Sequence, residues 1–352
     1  PAQVIAVTGS NGKTTVKEML HQILDREAPT LATRGNFNND IGVPLTLFRL
    51  SPKDRYAIVE LGANHPGEIA RLAKIADPDI VYVNNVAAAH LTGFGSVQGV
   101  VEAKGELYAY CQPQQVAVFN NDEVASEYWR SICAAKNQIS CGMNNPADLS
   151  GRFQSEEQGL HLELGYRGDT QNISLPVFGE HNARNAIAAV TLAIVAGVEF
   201  ARATQNLTHF SGVKGRLQIM RGPVQSRLID DSYNANPDSL EAGIKVLCAL
   251  KGTPWLALGD MGELGGDTET LHLQAAQSAR RQGVEKLFAI GPMSCIASRE
   301  FRDQGLCFER IEDMSASILA QIHEQVNLLV KGSRSAGMDR LVELLLDPNV
   351  DR

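Results

Sequence analysis

The segment at residues 8–15, Thr-Gly-Ser-Asn-Gly-Lys-Thr-Thr, lies between an apolar run and a helical pattern. Backbone N–H groups in such a loop cradle phosphate, and the following helix N-terminus favours negative charge. In this interpretation Lys13 reaches the outer phosphates of a nucleotide, and the Thr14 hydroxyl joins the shell of a magnesium ion. The alternative, an ordinary glycine-rich turn, is disfavoured by the strand–loop–helix context. The predicted phosphate-binding residues are Gly9, Asn11, Gly12, Lys13, Thr14 and Thr15.

Three more residues are candidates for a metal site. Glu60 ends an apolar run, and a carboxylate at the carboxyl edge of a parallel sheet faces the ligand crevice, where Mg2+ prefers oxygen ligands. His90 follows the next apolar run, and Lys104 lies in a helical pattern. The alternatives are a solvated strand-end acid, a structural histidine and a solvated surface lysine. From the residues alone, nothing selects Lys104.

Several polar residues are candidates for nucleotide contacts. Asn182 and Asn185 share a face of a predicted helix, where their amides can pair with adenine or form part of a capped helix start. Arg216 follows a linker and would offset phosphate charge, unless it forms a surface ion pair. Asp231 ends an apolar run and begins a polar segment whose alternative is a plain Asn-Pro turn. That segment contains Tyr233, Asn234 and Asn236.

Two other segments are candidates for substrate contacts. Asn36, Asn38 and Asn39 lie in a loop that can face a peptide, although turn chemistry explains the same residues. Ser333 and Ser335 are candidates for the incoming amine substrate, and the alternative is that they cap the last helix.

The elements that position these residues alternate between strand and helix, which predicts an α/β fold with a mostly parallel sheet covered on both faces. Strand-like runs lie at 3–8, 56–61, 80–84 and 116–120, with helical patterns at 66–75, 98–110 and 122–134. Residues 149–178 alternate apolar and polar positions, which predicts an antiparallel patch, and an alanine-rich helix follows over 182–196.

A second α/β pattern begins near residue 215, with strand-like runs at 226–230, 255–259, 286–290 and 326–330. Residues 210–215 are the predicted linker. We therefore predict a P-loop domain at 1–213 and a smaller Rossmann-like domain at 214–352, as the length of 352 residues also favours.

Composition excludes several classes of protein. The formal charge of −8 argues against non-specific binding to nucleic acid, and no apolar run reaches the roughly 20 residues of a membrane span. The six cysteines are scattered without a Cys-x-x-Cys pair, which predicts reduced thiols in a cytoplasmic protein. A monomer is the default expectation.

The phosphate loop departs from the strict P-loop pattern, because Val7 stands where that pattern has glycine. With its tighter Gly-x-x-Gly-Lys-Thr-Thr spacing, the loop resembles that of the Mur ligase and folylpolyglutamate synthetase superfamily. Nearly the whole chain is similar to the middle and C-terminal domains of Mur ligases, in particular the branch that adds D-alanyl-D-alanine. The segments that carry the resemblance are 35–47, 89–96, 103–106, 179–186, 231–239, 259–265 and 331–339.

The resemblance implies roles for the candidate residues. Thr14 and Glu60 would hold one magnesium ion, His90 would help to hold a second, and Lys104 would be carbamylated to supply an anionic oxygen ligand. Asn185, with Asn182, would contact adenine, and the loop that begins at Asp231 would lie near the ribose and phosphates. The implied catalytic residues are Lys13, His90, Lys104 and Arg216.

The implied reaction is ATP-dependent amide formation through an acyl phosphate, joining D-alanyl-D-alanine to UDP-N-acetylmuramoyl-tripeptide in peptidoglycan precursor synthesis. Family members carry an N-terminal domain for the UDP-sugar end, and no counterpart is found in this sequence. We therefore expect ATP binding with weak or no ligation, because binding energy from the uridine end is missing. The alternatives are another Mur ligase, a folylpolyglutamate synthetase, a P-loop kinase and an ATP-binding module without turnover.

Overall fold

The computed structural model describes residues 2–87 and 91–347. Contacts within the chain divide it into two compact units, Pro1–Ser211 and Gly212–Arg352. The division falls inside the predicted linker, two residues before the predicted boundary after residue 213.

The first unit is built on one sheet. Its strands are β1 (Gln3–Thr8), β2 (Thr30–Ala32), β3 (Tyr56–Glu60), β4 (Ile80–Val83), β5 (Val116–Asn120), β6 (Asn137–Gly142), β7 (Leu149–Glu156), β8 (Gly159–Tyr166) and β9 (Asp169–Leu175). Among the described residues the strand order is β2-β3-β1-β4-β5-β6-β7-β8-β9. Pairing is parallel from β2 to β7 and antiparallel from β7 to β9. The predicted mostly parallel sheet with an antiparallel patch is confirmed.

Helices cover this sheet because its central strands are largely apolar. The helices are α1 (Lys13–Leu24), α2 (Gly42–Leu47), α3 (Glu68–Ala76), α4 (Leu91–Phe94), α5 (Val97–Ala109), α6 (Ser126–Ile132), α7 (Glu180–Val195) and α8 (Phe200–Leu207). Every residue of β3 and β4 is buried, as expected for parallel strands covered on both faces. The short strand β2 and the polar start of β6 gave no strand signal in the sequence.

The second unit has its own smaller sheet. Its strands are β10 (Gln218–Arg221), β11 (Arg227–Asp231), β12 (Thr253–Gly259), β13 (Lys286–Ile290), β14 (Gly305–Phe308) and β15 (Val326–Lys331). Its helices are α9 (Pro237–Ala249), α10 (Thr268–Gln282), α11 (Pro292–Ser298), α12 (Ile311–Gln321) and α13 (Met338–Leu346). The described strands follow the order β10-β11-β15-β12-β13-β14, and β10 alone runs antiparallel to its neighbour.

The prediction that all six cysteines are reduced thiols is wrong for one pair. A disulfide joins Cys295 to Cys307, whose Cα atoms are 5.0 Å apart. The fold brings them together because α11 leaves the end of β13 while β14 lies alongside that strand, where Cys307 pairs with Ala289. The two cysteines are 12 positions apart in sequence, and that spacing alone gives no signal of the contact. None of the described helices has the length and apolar character needed to cross a membrane.

Candidate active site

The phosphate loop leaves β1 at Thr8 and enters α1 at Lys13. Gly12 has φ +76°, a left-handed conformation that favours glycine. A Cβ atom at this position would lie only 2.6 Å from both Asn185 Oδ1 and Asn84 Nδ2. Glycine is therefore required at position 12 by the backbone conformation and by the two amides that approach it.

Asn84 and Asn85, which follow β4, hold the loop in place. The Asn11 N–H donates to Asn85 Oδ1 at 2.8 Å, and Asn84 Nδ2 donates to the Asn11 carbonyl at 2.9 Å. Asn84 Nδ2 also lies 3.0 Å from Asn185 Oδ1. Sequence reasoning missed these two asparagines as site residues, although their position at the end of a parallel strand was a usable signal.

Lys13 turns back over the loop from the first turn of α1. Its Nζ donates to the carbonyls of Gly9 at 2.6 Å and Ser10 at 3.1 Å. Thr14 is partly exposed beside it, and Thr15 is buried. The structure therefore brings the predicted phosphate-binding residues together around one loop at the carboxyl edge of the sheet.

Glu60 lies at the same edge, because β1 and β3 pair in parallel with Val7 opposite Glu60. Its side chain is buried, with a residue exposure of 2%. Asn38 Nδ2 donates to Oε1 at 2.8 Å, whereas no described residue gives Oε2 a hydrogen-bond partner. A buried carboxylate oxygen without a donor is costly, and a cation is the partner that would satisfy it. Glu60 therefore fits the metal-ligand role and is not the solvated strand-end acid of the alternative.

Lys104 is buried on α5, with an exposure of 1%, so the alternative of a solvated surface lysine is wrong. Its Nζ lies 3.4 Å from the carbonyl of Ala63, in the loop after Glu60, and 5.3 Å from the centroid of the Phe94 ring. Burial, with a smaller contribution from the charge of Lys13, lowers the pKa of Lys104 to about 7. His90, the other predicted metal ligand, lies outside the described residues.

The predicted adenine residues lie next to the phosphate loop. Asn185 and Asn182 are both buried on α7, and Asn185 Nδ2 donates to Asn182 Oδ1 at 3.2 Å. Asn182 Nδ2 donates to the carbonyl of Phe178 at 2.9 Å. The N-cap residue of α7 is Gly179, which supplies no side-chain cap, so these asparagines are not the N-cap. Their amides remain candidates for adenine contacts.

The three asparagines of the 36–39 loop differ in their surroundings. Asn36 is exposed, and Asn38 orients the Glu60 carboxylate as described above. Asn39 Oδ1 accepts from the N–H groups of Ile41 and Gly42, at 3.2 and 2.9 Å, at the start of α2. Asn39 therefore has the turn role of the alternative interpretation. A peptide-binding role stays a prediction for all three asparagines.

Asn38 supplies a testable link between this loop and the metal site. We expect Asn38→Ala to weaken magnesium-dependent nucleotide binding by about 10–100-fold, because residues that orient a metal ligand contribute on that scale. Titration calorimetry with an ATP analogue and magnesium measures the effect. Asn172→Ala, on the exposed part of β9, is the matched control and should leave the affinity unchanged. Equal affinities for the Asn38 variant and the wild type would contradict this role.

In the second unit, Arg216 lies beside the loop that follows β11. Its guanidinium carbon is 3.8 Å from the centroid of the Tyr233 ring, a cation–π contact. The adjacent Leu217 N–H donates to Asp231 Oδ1 at 3.1 Å, and Asp231 Oδ2 accepts from Lys331 Nζ at 2.5 Å. Lys331 also donates to the Asn234 carbonyl at 3.0 Å. Sequence reasoning did not single out Lys331, which bonds to two of the predicted residues, Asp231 and Asn234.

Other predicted residues in this unit have mainly structural partners. Asn236 is the N-cap of α9 and forms a capping box with Ser239, which is the turn role of the alternative. Ser333 is buried and its hydroxyl lies 3.1 Å from that of Ser335, which is exposed. The N-cap residue of α13 is Gly337 without a side-chain cap, so the interpretation of these serines as caps of the last helix is wrong.

Comparison with known proteins places this geometry in a family. The model of the Mur ligase middle domain matches residues 7–193, which is more than half of the chain. The chain belongs to the Mur ligase family. A second model, Mur ligase, glutamate ligase domain, matches residues 215–334 of this Mur ligase.

Individual relatives agree with the family assignment. The chain is 37% identical over 353 residues to the UDP-N-acetylmuramoyl-tripeptide–D-alanyl-D-alanine ligase of Escherichia coli (strain K12), covering 98% of this chain and 77% of that protein. A crystal structure of MurF from Acinetobacter baumannii matches with a TM-score of 0.91 and 35% identity, covering 98% of this chain and 77% of that one. MurF from Thermotoga maritima in complex with ADP shares the fold, with a TM-score of 0.86 at 23% identity over 98% of this chain and 79% of that one. The predicted family and fold are confirmed.

The described residues do not form a complete metal site from protein ligands alone. Within residues 2–87 and 91–347, no group of three or more His, Cys, Asp and Glu side chains is close enough to hold a metal ion. Mg2+ usually binds through one or two carboxylates together with substrate phosphates and water, so a single buried carboxylate such as Glu60 suits it. The residues of this Mur ligase therefore fit a magnesium ion that arrives with a nucleotide.

Proposed function

We propose that this Mur ligase joins D-alanyl-D-alanine to UDP-N-acetylmuramoyl-tripeptide, with cleavage of ATP to ADP and phosphate. The observation that carries the proposal is the buried Oε2 of Glu60, which has no hydrogen-bond partner among the described residues and lies at the same sheet edge as the phosphate loop with Lys13. That arrangement suits a magnesium–nucleotide complex, and the similarity to the Escherichia coli ligase supplies the two substrates. ATP and a UDP-linked acceptor are cytoplasmic metabolites, and we propose that compartment for the reaction.

The reaction proceeds in two steps. A carboxylate oxygen of the tripeptide attacks the γ-phosphorus of ATP, the bond to the bridging β–γ oxygen breaks, and ADP leaves. The neutral amine of D-alanyl-D-alanine then attacks the carbonyl carbon of the acyl phosphate. The C–N bond forms, and the amine gives up a proton to solvent. The bond between the carbonyl carbon and the phosphoryl oxygen breaks, and phosphate leaves.

The main barrier is electrostatic, because an anionic carboxylate must approach an anionic triphosphate. The Lys13 ammonium can leave the carbonyls of Gly9 and Ser10 for the outer phosphates. Its charge interacts more strongly with anionic phosphate oxygens than with neutral carbonyls. The loop N–H groups bind phosphate oxygens, and the amides of Asn182 and Asn185 orient the base. Glu60 and the Thr14 hydroxyl would hold magnesium, and a bound magnesium ion would neutralise charge at the phosphates. The roles of Arg216 and of the loop from Asp231 to Asn236 toward ATP stay predictions from the sequence.

Carbamylation of Lys104 is part of the proposal. The pKa of about 7 leaves a substantial fraction of neutral amine at neutral pH, and the neutral amine is the form that reacts with carbon dioxide. The ammonium first loses a proton, and the neutral amine nitrogen then adds to CO2 and loses a second proton. The two steps together convert a buried cation into an anion. The new carboxylate group would offer oxygen ligands near the loop that follows Glu60.

The carbamate has a direct spectroscopic test. We expect protein equilibrated with carbon-13-labelled CO2 to show a carbamate NMR resonance that Lys104→Arg removes and Lys74→Arg, at an exposed site on α3, retains. At a fixed CO2 pressure the signal should grow as pH rises from 6 to 8, because deprotonation through a pKa of about 7 supplies the reactive amine. A signal unaffected by Lys104→Arg would exclude the modification at this residue.

The activity itself is tested by phosphate release from ATP and magnesium. Release that requires both UDP-N-acetylmuramoyl-tripeptide and D-alanyl-D-alanine, with a new amide seen by mass spectrometry, is the expected result, at a low rate because the sequence predicts weak ligation by this chain. Phosphorylation of an alcohol without amide formation would show that the protein is a kinase and contradict the proposed ligase activity. A thermal shift with ATP analogue is measured in parallel, since ligand at 100 times its Kd stabilises by about 2.7 kcal/mol. Stabilisation by the ATP analogue without release of phosphate would support nucleotide binding and contradict the proposed turnover.

A further inference from the structure

A cavity of about 400 Å3 lies at the beginnings of β11 and β15 in the second unit. Its wall includes Arg227 and Asn327, which pair in register near the start of these parallel strands. Asp231 and Lys331 stand at the other end of the same two strands. Four residues of strand separate the two edges by about 13 Å. The cavity is therefore distinct from the residues of this unit to which the proposed ligation assigns a role.

The side chains around this cavity place like charges close together, which is unfavourable in the absence of a ligand. Arg221 and Arg227 are directly opposite each other in the antiparallel β10–β11 pair, and both line the cavity together with Lys251. Directly opposed like charges destabilise a sheet. Glu324 is the only acid among the described lining residues, although the chain as a whole carries a formal charge of −8. An anion between the two arginines would remove this repulsion.

Arg227 is held in a fixed orientation at this site. Its Nη1 donates to Asn327 Oδ1 at 3.1 Å, and Asn327 is itself buried and donates from Nδ2 to the Lys251 carbonyl at 3.2 Å. This bond uses one of the five donors of the guanidinium and restricts the orientation of the planar fork. A planar, oriented guanidinium matches the geometry of phosphate oxygens.

The turn before β11 supplies two more observations. Ser226 is 2% exposed and lines the cavity, and its hydroxyl has no hydrogen-bond partner within the described part of the chain. Val224 and Gln225 have φ values of +46° and +68°. A β-branched residue in this conformation is strained, and such strain concentrates at ligand sites. Both features are costs of the free protein that a bound ligand would help to offset.

We propose that this cavity binds a small molecule carrying a phosphate group. Arg221, Arg227 and Lys251 would contact the phosphate oxygens, and Ser226 would provide a further polar contact. Inorganic phosphate would fill only part of the volume, so the preferred ligand is an organic phosphate monoester of sugar size. This binding does not depend on the proposed ligation.

Titration calorimetry of the full chain with glucose 6-phosphate tests the proposal, with inorganic phosphate and uncharged glucose as comparison ligands. We expect saturable binding that Arg227→Gln and Lys251→Gln each weaken by about tenfold or more, since hydrogen bonds to charged groups contribute on that scale. Lys251 is exposed, so its variant is expected to fold. Arg152→Gln, at an exposed position on β7, is the matched control and should bind like the wild type. Lys13→Ala should also bind like the wild type, which separates this site from the phosphate loop.

Tighter binding of glucose 6-phosphate than of inorganic phosphate would support an organic ligand, and equal binding would support recognition of the phosphate group alone. Absence of saturable binding would overturn the proposal, as would equal binding of uncharged glucose. Binding lost in Lys13→Ala but kept in both cavity variants would assign the ligand to the phosphate loop and also overturn it.

Discussion

Glu60→Gln is expected to lower the rate of phosphate release by about 100–1,000-fold, the range found when one group that stabilises transition-state charge is removed. The same change should make the unliganded protein more stable, by about 1–3 kcal/mol. The reason is that Glu60 Oε2 is buried without a hydrogen-bond partner in residues 2–87 and 91–347, and a neutral amide is less costly to bury than a carboxylate. A decrease in activity together with an increase in stability distinguishes a functional carboxylate from one that stabilises the fold.

Steady-state kinetics and thermal unfolding without nucleotide measure the two effects. Glu163→Gln, at an exposed position on β8, makes the same chemical change and should leave both activity and melting temperature unchanged. A loss of stability in Glu60→Gln, with or without loss of activity, would show that the carboxylate has a structural partner and would contradict the proposed metal role.

Lys331→Met is expected to destabilise the second unit by about 3–5 kcal/mol, because it leaves the charge of Asp231 buried and unpaired. The two side chains have exposures of only 2% and 13%, and their charged atoms are 2.5 Å apart. Asp231→Asn should also be destabilising, because it leaves the charge of Lys331 buried without its partner. The double variant should recover most of the lost stability, since replacing both partners of a buried pair is often nearly neutral.

Urea unfolding followed by tryptophan fluorescence measures these changes. In a Trp129→Phe background the signal comes from Trp255 on β12, which belongs to the second unit. Lys245→Met is the matched control, because Lys245 forms an exposed pair with Glu241 at 3.8 Å and exposed pairs contribute about 1 kcal/mol or less. Additive effects of the two single changes at Lys331 and Asp231 would contradict the coupling.

The pair also connects stability to the proposed reaction. Asp231 accepts from the N–H of Leu217, next to Arg216, and Lys331 holds the Asn234 carbonyl. The double variant therefore separates two roles. If it regains stability but not phosphate release, the pair positions Arg216 and the following loop for the reaction. If it regains both, the pair serves the fold alone.

The sequence by itself determined the features that depend on local pattern. Apolar runs of strand length located the central strands of both sheets, and alternation over 149–178 located the antiparallel patch. The phosphate loop was identified because its residues are adjacent in the chain, so their spacing carries the chemistry directly. Glu60 was found through its position at a strand end, which a parallel sheet brings to the same edge as the loop.

Only the tertiary structure decided the environments of single side chains. Lys104 and Lys331 lie in helix and strand patterns that do not reveal whether a lysine is buried, and both proved to be buried. The clamp of Asn84 and Asn85 on Asn11, the hydrogen bond from Asn38 to Glu60 and the Cys295–Cys307 bond each join residues that are distant in the chain. Burial, pKa and hydrogen-bond satisfaction depend on such non-local neighbours, and a single sequence read along the chain does not contain those distances.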